Sequence, residues 1–291
     1  MLCPDERSAR RPKRLLTQNR RLRPLGIFTW TLPALAGRFP DGTTYVTCRN
    51  AGVCSQACYA LNGTYRIPGV LARHQRNLQF VLGDLDGWKA AMLAELNHSR
   101  YRHAWIRIHD SGDFLSLEYL RAWLEIMRSR PSTRFYCYTK EVSLFRTEVE
   151  PDPPDNFWWV YSLGGKQDHL LGDGDRVADV FPDEESIAAA GWNSQAASDL
   201  LAVLGPAPVG IRANNIARFR AVQAGRRWSE WQAQTDAARR AKLARHRNNS
   251  VERGEAVTEP RADTVATPDD PAPELTGRAT GERAIQCPDS L

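Results

Sequence analysis

Strand-like and helix-like segments alternate along most of this chain, and that alternation restricts the fold more than any other feature. Runs of β-branched and aromatic residues predict strands, and segments with a helical apolar period separate them. Strands joined by crossover helices form parallel sheets. We therefore expect an α/β fold, a partial or complete (β/α) barrel, with an open doubly wound sheet as the alternative. The predicted strands are 25–35, 104–109, 133–140, 156–165, 176–182 and 207–215.

Amphipathic segments occupy most of the gaps between these strands. Asp86 and Ser116 are the expected N-caps of the second and third helices, because short polar side chains accept hydrogen bonds from the first turn. The predicted helices are 70–82, 86–98, 116–130, 141–149 and 183–191.

Both ends of the chain depart from this pattern. The first 24 residues are rich in arginine, and the formal net charge of the whole chain is +5. Basic segments of this kind suit a polyanion such as nucleic acid, although a solvated arm explains them as well. We predict a basic flexible arm at 1–24, a barrel-like domain at 25–222, a basic helix at 223–247 and a disordered tail at 248–291.

Membrane and secretory segments are not expected. The sequence has no run of about 18 apolar residues, the length that a membrane span needs. Its N-terminus is charged and has no apolar core typical of a secretory signal. We therefore expect a cytoplasmic protein that does not contact a membrane. The oligomeric state cannot be inferred from the sequence.

Three of the six cysteines lie within one short loop after the first predicted strand. Cys48, Cys54 and Cys58 have the spacing C-x5-C-x3-C. In a reducing compartment clustered cysteines more often bind metal than form disulfides, and thiolates are ligands of iron–sulfur clusters and of zinc. We expect these three to be metal ligands. A functional iron–sulfur cluster, a structural zinc site with His74 as fourth ligand, and no metal are the alternatives.

Polar residues follow the other predicted strands. The carboxyl ends of parallel strands share one edge, where active sites collect. Each residue also has a simpler explanation, such as a turn cap or a solvated charge. A further polar group, Arg212, Asn214 and Asn215, follows the last strand. The candidate catalytic residues are Asp110, Asp113 and Lys140, and the candidate cofactor-binding residues are Ser111, Gly112, Asp113, Ser162 and Gly164.

Several of these segments together resemble the gene product 88 family, which occurs in actinobacterial phages and some bacteria. The resemblance covers roughly residues 25–220, and it implies the host-cell cytoplasm for a phage-encoded member. It rests on the segments TCRNAGVCSQACYALNGTYR, RIHDSGDFLSLEYLRAWLEIM, FYCYTK, SLGGKQDHL and ADVFP.

The layout is also similar, more distantly, to radical S-adenosylmethionine enzymes, which carry an iron–sulfur cluster on the loop after the first barrel strand. Cys54 and Cys58 match the first gap of their usual C-x3-C-x2-C motif. Leu61 stands where the third cysteine would be, so Cys48 would be the third ligand. The similarity implies a [4Fe–4S] cluster on three cysteines, with S-adenosylmethionine on the remaining iron.

This similarity also implies roles for the strand-end residues. Ser111, Gly112 and Asp113 would contact the methionyl amino group or the ribose, and Lys140 would hold a carboxylate. The cofactor carries the radical chemistry, and the protein positions it and excludes water. The basic arms suggest a nucleotide or nucleic acid as substrate.

Two other classes of protein compete with this interpretation. The segment HDSGDF is similar to a strand end of tRNA-guanine transglycosylase-like barrels, which implies Asp110 and Asp113 as the acids acting on a nucleobase, with structural zinc. The other alternative is a non-enzymatic nucleic-acid-binding protein stabilised by zinc.

Overall fold

The computed structural model describes residues 14–39 and 41–252. The chain divides into two compact units, Met1–Arg245 and His246–Leu291, and the fold below is that of the first.

A parallel sheet of seven strands forms the centre of the first unit. Every pairing within it is parallel, as the alternation of strands and helices predicts. A short antiparallel hairpin lies outside it, between the first strand and the cysteines. The hairpin strands are β2 (Ala36–Arg38) and β3 (Thr44–Val46). In spatial order the sheet contains β1 (Ile27–Trp30), β4 (Trp105–Ile108), β5 (Arg134–Thr139), β6 (Phe157–Ser162), β7 (Val177–Phe181), β9 (Val209–Arg212) and β8 (Asn193–Ser194).

The sheet is open in the part of the chain that the structure describes, so the expected α/β class is confirmed and a complete barrel is not formed. β1 pairs with β4 on one side and β8 pairs with β9 at the other end. The outer edge of β1 is occupied by the preceding segment, because Thr17 and Thr29 exchange backbone hydrogen bonds of 2.9 and 2.7 Å. Between β9 and Glu252 the described elements are helices, so no described strand after β9 closes the sheet.

The helices lie close to the predicted segments. Ser116 caps its helix as expected, accepting a hydrogen bond from Tyr119 N at 3.2 Å. The cap of the second helix is Asp84 rather than the expected Asp86, because its side chain accepts from Gly87 N at 2.9 Å. The helices are α1 (Pro68–Gly83), α2 (Leu85–Leu96), α3 (Leu117–Arg128), α4 (Val142–Glu148), α5 (Glu184–Ala189), α6 (Leu201–Leu204), α7 (Ala217–Gln223) and α8 (Trp228–Glu252).

The two faces of the sheet have separate cores, because successive side chains of a strand point to opposite faces. On β5, Phe135 and Cys137 belong to the larger core, which includes buried side chains of α1 to α3. Tyr136 and Tyr138 point to the other face, together with Ala202 of α6.

The segment before β1 is packed where the sequence predicts a flexible arm. Leu15, Leu16 and Leu22 are buried. The backbone amides of Leu15 and Leu16 donate to the Glu95 carboxylate at 2.6 and 3.1 Å. Residues 14–24 therefore belong to the folded unit, and apolar burial is the physical reason. The rest of the predicted arm, residues 1–13, lies outside the described residues.

The predicted basic helix is present as α8, which begins at Trp228 and continues to Glu252. Most of the predicted tail, residues 253–291, lies outside the described residues. Among the described helices, none combines the length and the apolar content needed to cross a bilayer.

Candidate functional site

A cavity of about 730 Å³ lies at the carboxyl-terminal edge of the sheet. Its wall combines the cysteine loop, residues 48–58, with residues at the ends of β4, β5, β6, β7 and β9. Every predicted metal-binding and catalytic residue lines this cavity. Of the predicted cofactor-binding residues, Gly164 does not. The fold thus brings together groups that lie more than a hundred residues apart, as the parallel topology predicts.

The cysteine loop is held by backbone hydrogen bonds to its surroundings. The amide of Cys48 donates to Leu35 O at the base of the hairpin, and the amide of Cys54 donates to Gly164 O after β6, both at 3.3 Å. Short 3-10 turns begin just before Cys54 and just after Cys58. The loop is therefore anchored on both sides of the cavity mouth.

All three loop cysteines are unpaired thiols. Burial raises the pKa of Cys48 to about 12 and that of Cys58 to about 11. Asp113 adds to the rise at Cys48. Burial also raises the pKa of Cys54, and the nearby Lys140 ammonium opposes that rise. Without a metal these thiols keep their protons at neutral pH, so a metal ion that binds them must displace protons.

Three cysteine side chains line one cavity, and thiolates are ligands that zinc and iron bind, so these residues fit a thiophilic metal. No three His, Cys, Asp or Glu side chains of the described residues are already arranged to hold a metal ion.

Asp113 connects three segments of the site. One carboxylate oxygen accepts from Phe114 N at 2.9 Å and from the Thr139 hydroxyl at 2.8 Å, and the other accepts from Lys140 N at 2.9 Å. Its own amide donates to Thr47 O, one residue before Cys48, at 2.8 Å. Asp113 is buried, and burial raises the pKa of its carboxyl. These contacts make Asp113 a residue that positions the loop.

The Lys140 ammonium is fully occupied within the protein. It donates to Ser162 O at 2.6 Å, to Ser162 Oγ at 2.8 Å and to Leu163 O at 2.9 Å. It also lies 5.8 Å from the ring centre of Trp228. An ammonium has three protons, so a ligand carboxylate would have to replace one of these acceptors.

The remaining predicted cofactor-binding groups also make internal contacts. The Ser111 hydroxyl donates to Leu32 O at 2.6 Å. Gly112 has a φ of +82°, and a Cβ atom there would lie 2.7 Å from Leu32 Cβ. The Gly164 amide donates to Asp168 Oδ2 at 2.7 Å. The carboxylate of Asp168 thus occupies the place that a bound anion would take at Gly164.

Asp110 is part of a half-buried charge cluster. Its carboxylate pairs with Arg107 at 3.3 Å and accepts a hydrogen bond from the Tyr65 hydroxyl, while its carbonyl accepts from the Tyr59 hydroxyl. Arg107 pairs equally with Asp199 at 3.3 Å. One guanidinium therefore holds two carboxylates at the inner wall of the cavity.

Two tyrosines of β5 complete what we call the Arg107 cluster (Arg107, Asp110, Tyr136, Tyr138 and Asp199). Asp199 accepts hydrogen bonds from the hydroxyls of Tyr136 at 2.5 Å and Tyr138 at 3.2 Å. The Arg107 guanidinium lies 4.9 Å from the centre of the Tyr138 ring. Sequence reasoning missed Arg107 and Asp199. The available signal was an arginine within the otherwise apolar strand "AWIRIH", whereas Asp199 follows an irregular segment with no recognisable motif.

His74, the alternative zinc ligand, lies beside Tyr65 with ring centroids 5.9 Å apart. Burial lowers its pKa to about 4, so the ring is neutral. It does not line the cavity that contains the cysteines. The structure therefore does not bring His74 and the three cysteines to one cavity.

Two further contacts to the cysteine loop were not foreseen. Asn50 Nδ2 donates to the buried carboxylate of Glu141 at 2.6 Å. The amide of Val53 donates to Gln232 Oε1, on α8, at 2.8 Å. Helix α8 thus supports the loop directly, and Val53 packs with Trp231 of the same helix.

Comparison with known proteins agrees with the sequence resemblance to one family. Comparisons with curated proteins and with solved structures find no match. The family model described as gene product 88 matches residues 7–247, which include the entire sheet and the cysteine loop. The chain therefore belongs to the gene product 88 family.

Proposed function

We propose that this protein is an iron–sulfur enzyme similar in plan to radical S-adenosylmethionine enzymes. The observation that carries the proposal is that Cys48, Cys54 and Cys58 line one cavity together with Asp113 and Lys140. A structural zinc site has no need of a cavity, whereas a catalytic centre must admit a substrate.

The architecture supports the analogy. We interpret the open sheet as a partial barrel in which the cysteine loop follows the first strand and the remaining parallel strands supply the cavity wall. The cavity volume lies within the range of about 300–1,000 Å³ that small-molecule sites occupy. When bound, a [4Fe–4S] cluster with S-adenosylmethionine supplies one-electron radical chemistry.

The residues of the chain have separate tasks in this proposal. The three cysteines would hold the iron as thiolates, and burial disfavours their deprotonation when no metal is bound. Asp113 and Gln232 hold the loop in place through Thr47 and Val53. The Arg107 cluster presents fixed charges to the bound molecules.

The test is anaerobic reconstitution with iron and sulfide. We expect about four iron atoms and four sulfides per chain, as a [4Fe–4S] cluster contains, with loss of both in Cys48→Ala, Cys54→Ala and Cys58→Ala. Cys137→Ala is the matched control, because Cys137 is buried in the core and does not line the cavity. The reconstituted protein should release 5′-deoxyadenosine from S-adenosylmethionine under a strong reductant.

Other outcomes would point elsewhere. Zinc without iron after anaerobic purification, bound through the same cysteines, would overturn the radical proposal and favour a zinc-stabilised protein. Equal iron in the parent and in all three cysteine variants would show that the loop is not the metal site.

A further inference from the structure

The cavity has a second wall that the proposed metal chemistry does not use. It is formed where β7 and β9 end and where α7 follows. Arg212 is the last residue of β9, Asn214 and Asn215 come next, and Arg220 lies on α7. All four line the cavity and are exposed to solvent.

The backbone of this wall is fixed to the sheet. The amide of Ala213 donates to Phe181 O, at the end of β7, and the amide of Ile216 donates to Asn214 O, both at 2.8 Å. Arg220 donates to Asn215 Oδ1 at 3.0 Å. That bond uses the only acceptor of the Asn215 side chain, so its NH2 group remains as a donor.

Part of the charge on this wall is used internally, because Arg220 donates to Asn215 Oδ1 and its charge contributes to the lowered pKa of Asp183. Within the described residues, the guanidinium of Arg212 has neither an ion pair nor a hydrogen bond, and the same holds for Arg21, which lines the cavity from the segment before β1. Two of the carboxylates that line the cavity, Asp183 and Glu184, follow β7 and lie on this side of it. The Asp183 carboxylate is occupied as the cap of α5, because it accepts from Ser186 N at 2.8 Å.

We propose that this wall binds a phosphate group of the substrate, carried either by a free nucleotide or by a nucleic acid end or strand. The inference rests on the proposed function, because it assigns the substrate class of the same cavity. One guanidinium group can donate two parallel hydrogen bonds to two oxygens of a phosphate group, and the side-chain amides of asparagine add uncharged donors. The cysteine loop and Arg212 line one cavity, so a nucleotide with its phosphate at Arg212 has space for its sugar and base in the cavity that the cysteine loop also lines.

The test is direct binding, measured by calorimetry on the full chain as purified. The probes are adenosine monophosphate, adenosine, inorganic pyrophosphate and a short oligodeoxythymidylate. The variant is the double substitution Arg212→Gln with Arg220→Gln. The control is Arg102→Gln with Arg134→Gln, two exposed arginines at the amino-terminal ends of β4 and β5, at the opposite edge of the sheet.

We expect the parent and the control to bind phosphate-bearing probes, and the double variant to bind them at least about tenfold more weakly, the factor that one charge-assisted hydrogen bond supports. Adenosine has no phosphate group, so its affinity should be the same for the parent, the double variant and the control. Stronger binding of adenosine monophosphate indicates a free nucleotide, and binding of the oligonucleotide alone indicates a polynucleotide. Failure of every phosphate-bearing probe to bind the parent, or equal binding by the double variant, would overturn the proposal.

Iron and sulfide measured on the same samples keep the two proposals apart. The double variant should reconstitute as the parent does. Normal iron content without phosphate binding refutes the phosphate subsite alone, whereas phosphate binding without iron in any sample refutes the proposed metal centre alone.

Discussion

The carboxylate of Asp113 accepts a hydrogen bond from the backbone amide of Lys140 at 2.9 Å, which joins the ends of β4 and β5 beside the cysteine loop. The same carboxylate accepts two further hydrogen bonds, from Phe114 N and from the Thr139 hydroxyl. Three donors thus converge on one buried side chain. These contacts give Asp113 a structural role, whereas the sequence predicted a catalytic one.

Asp113→Asn should destabilise the protein. The asparagine amide group faces backbone donors, so at least one donor loses its acceptor, at a cost of about 1–3 kcal/mol in the free energy of unfolding. Denaturant unfolding checks this. Asp173→Asn is the control, because Asp173 is exposed. Equal stability of Asp113→Asn and the parent would mean that the carboxylate does not hold the two strand ends together.

Glu141 should make stability depend on pH. Burial, with a smaller contribution from Asp113, raises its pKa from the ordinary value of 4.5 to about 8. Between these values the folded state binds a proton that the unfolded state has lost, so stability falls as pH rises, by up to about 1.4 kcal/mol per pH unit. Glu141→Gln removes this titration and keeps an oxygen acceptor for Asn50.

The measurement is the difference in unfolding free energy between Glu141→Gln and the parent, taken at intervals from pH 5 to pH 8. We expect the unfolding free energy of the variant minus that of the parent to increase as the pH rises through this window. A difference that stays constant with pH would contradict the raised pKa.

Gly164→Ala should be costly for two local reasons. Gly164 has a φ of +87°, which residues with a Cβ atom rarely adopt, and a Cβ there would lie 3.0 Å from Trp228 Cε3 and 3.3 Å from Val53 Cγ2. We expect a loss of about 1–3 kcal/mol in unfolding free energy. Gly174→Ala is the matched control, since a Cβ at Gly174 meets open space. Equal melting temperatures for the two variants would show that the turn adjusts without strain.

Sequence reasoning succeeded where one physical rule decides the outcome. Parallel strands carry their carboxyl ends to one edge, so the convergence of the cysteine loop with Asp113 and Lys140 followed from the alternation alone. The sequence did not show whether the side chains of Asp113 and Lys140 are available to a ligand or make hydrogen bonds within the protein. The three protons of the Lys140 ammonium are taken up by oxygens of Ser162, the last residue of β6, and of Leu163. That contact depends on how the end of β6 packs against β5, which local sequence patterns do not show.

Other features depend on long-range packing that leaves little trace in local patterns. Asp199 meets Arg107 because the segment before α6 covers one face of the sheet. The bridge between Thr17 and Thr29, on the outer edge of the open sheet, joins two segments with no shared sequence motif. The hairpin strands β2 and β3 have three residues each, which is too short for a periodic signal.

Gln232 links α8 to the cysteine loop, and its removal should loosen that loop. Gln232 is buried, and its Oε1 is the acceptor for the Val53 amide next to Cys54. In Gln232→Ala the amide loses its partner, at a cost of about 1–3 kcal/mol, so the loop opens more often. We expect faster alkylation of the loop thiols by iodoacetamide and less iron after reconstitution. Gln234→Ala, an exposed position on the same helix, should match the parent in both measurements. Unchanged alkylation in Gln232→Ala would show that the loop keeps its conformation without the helix contact.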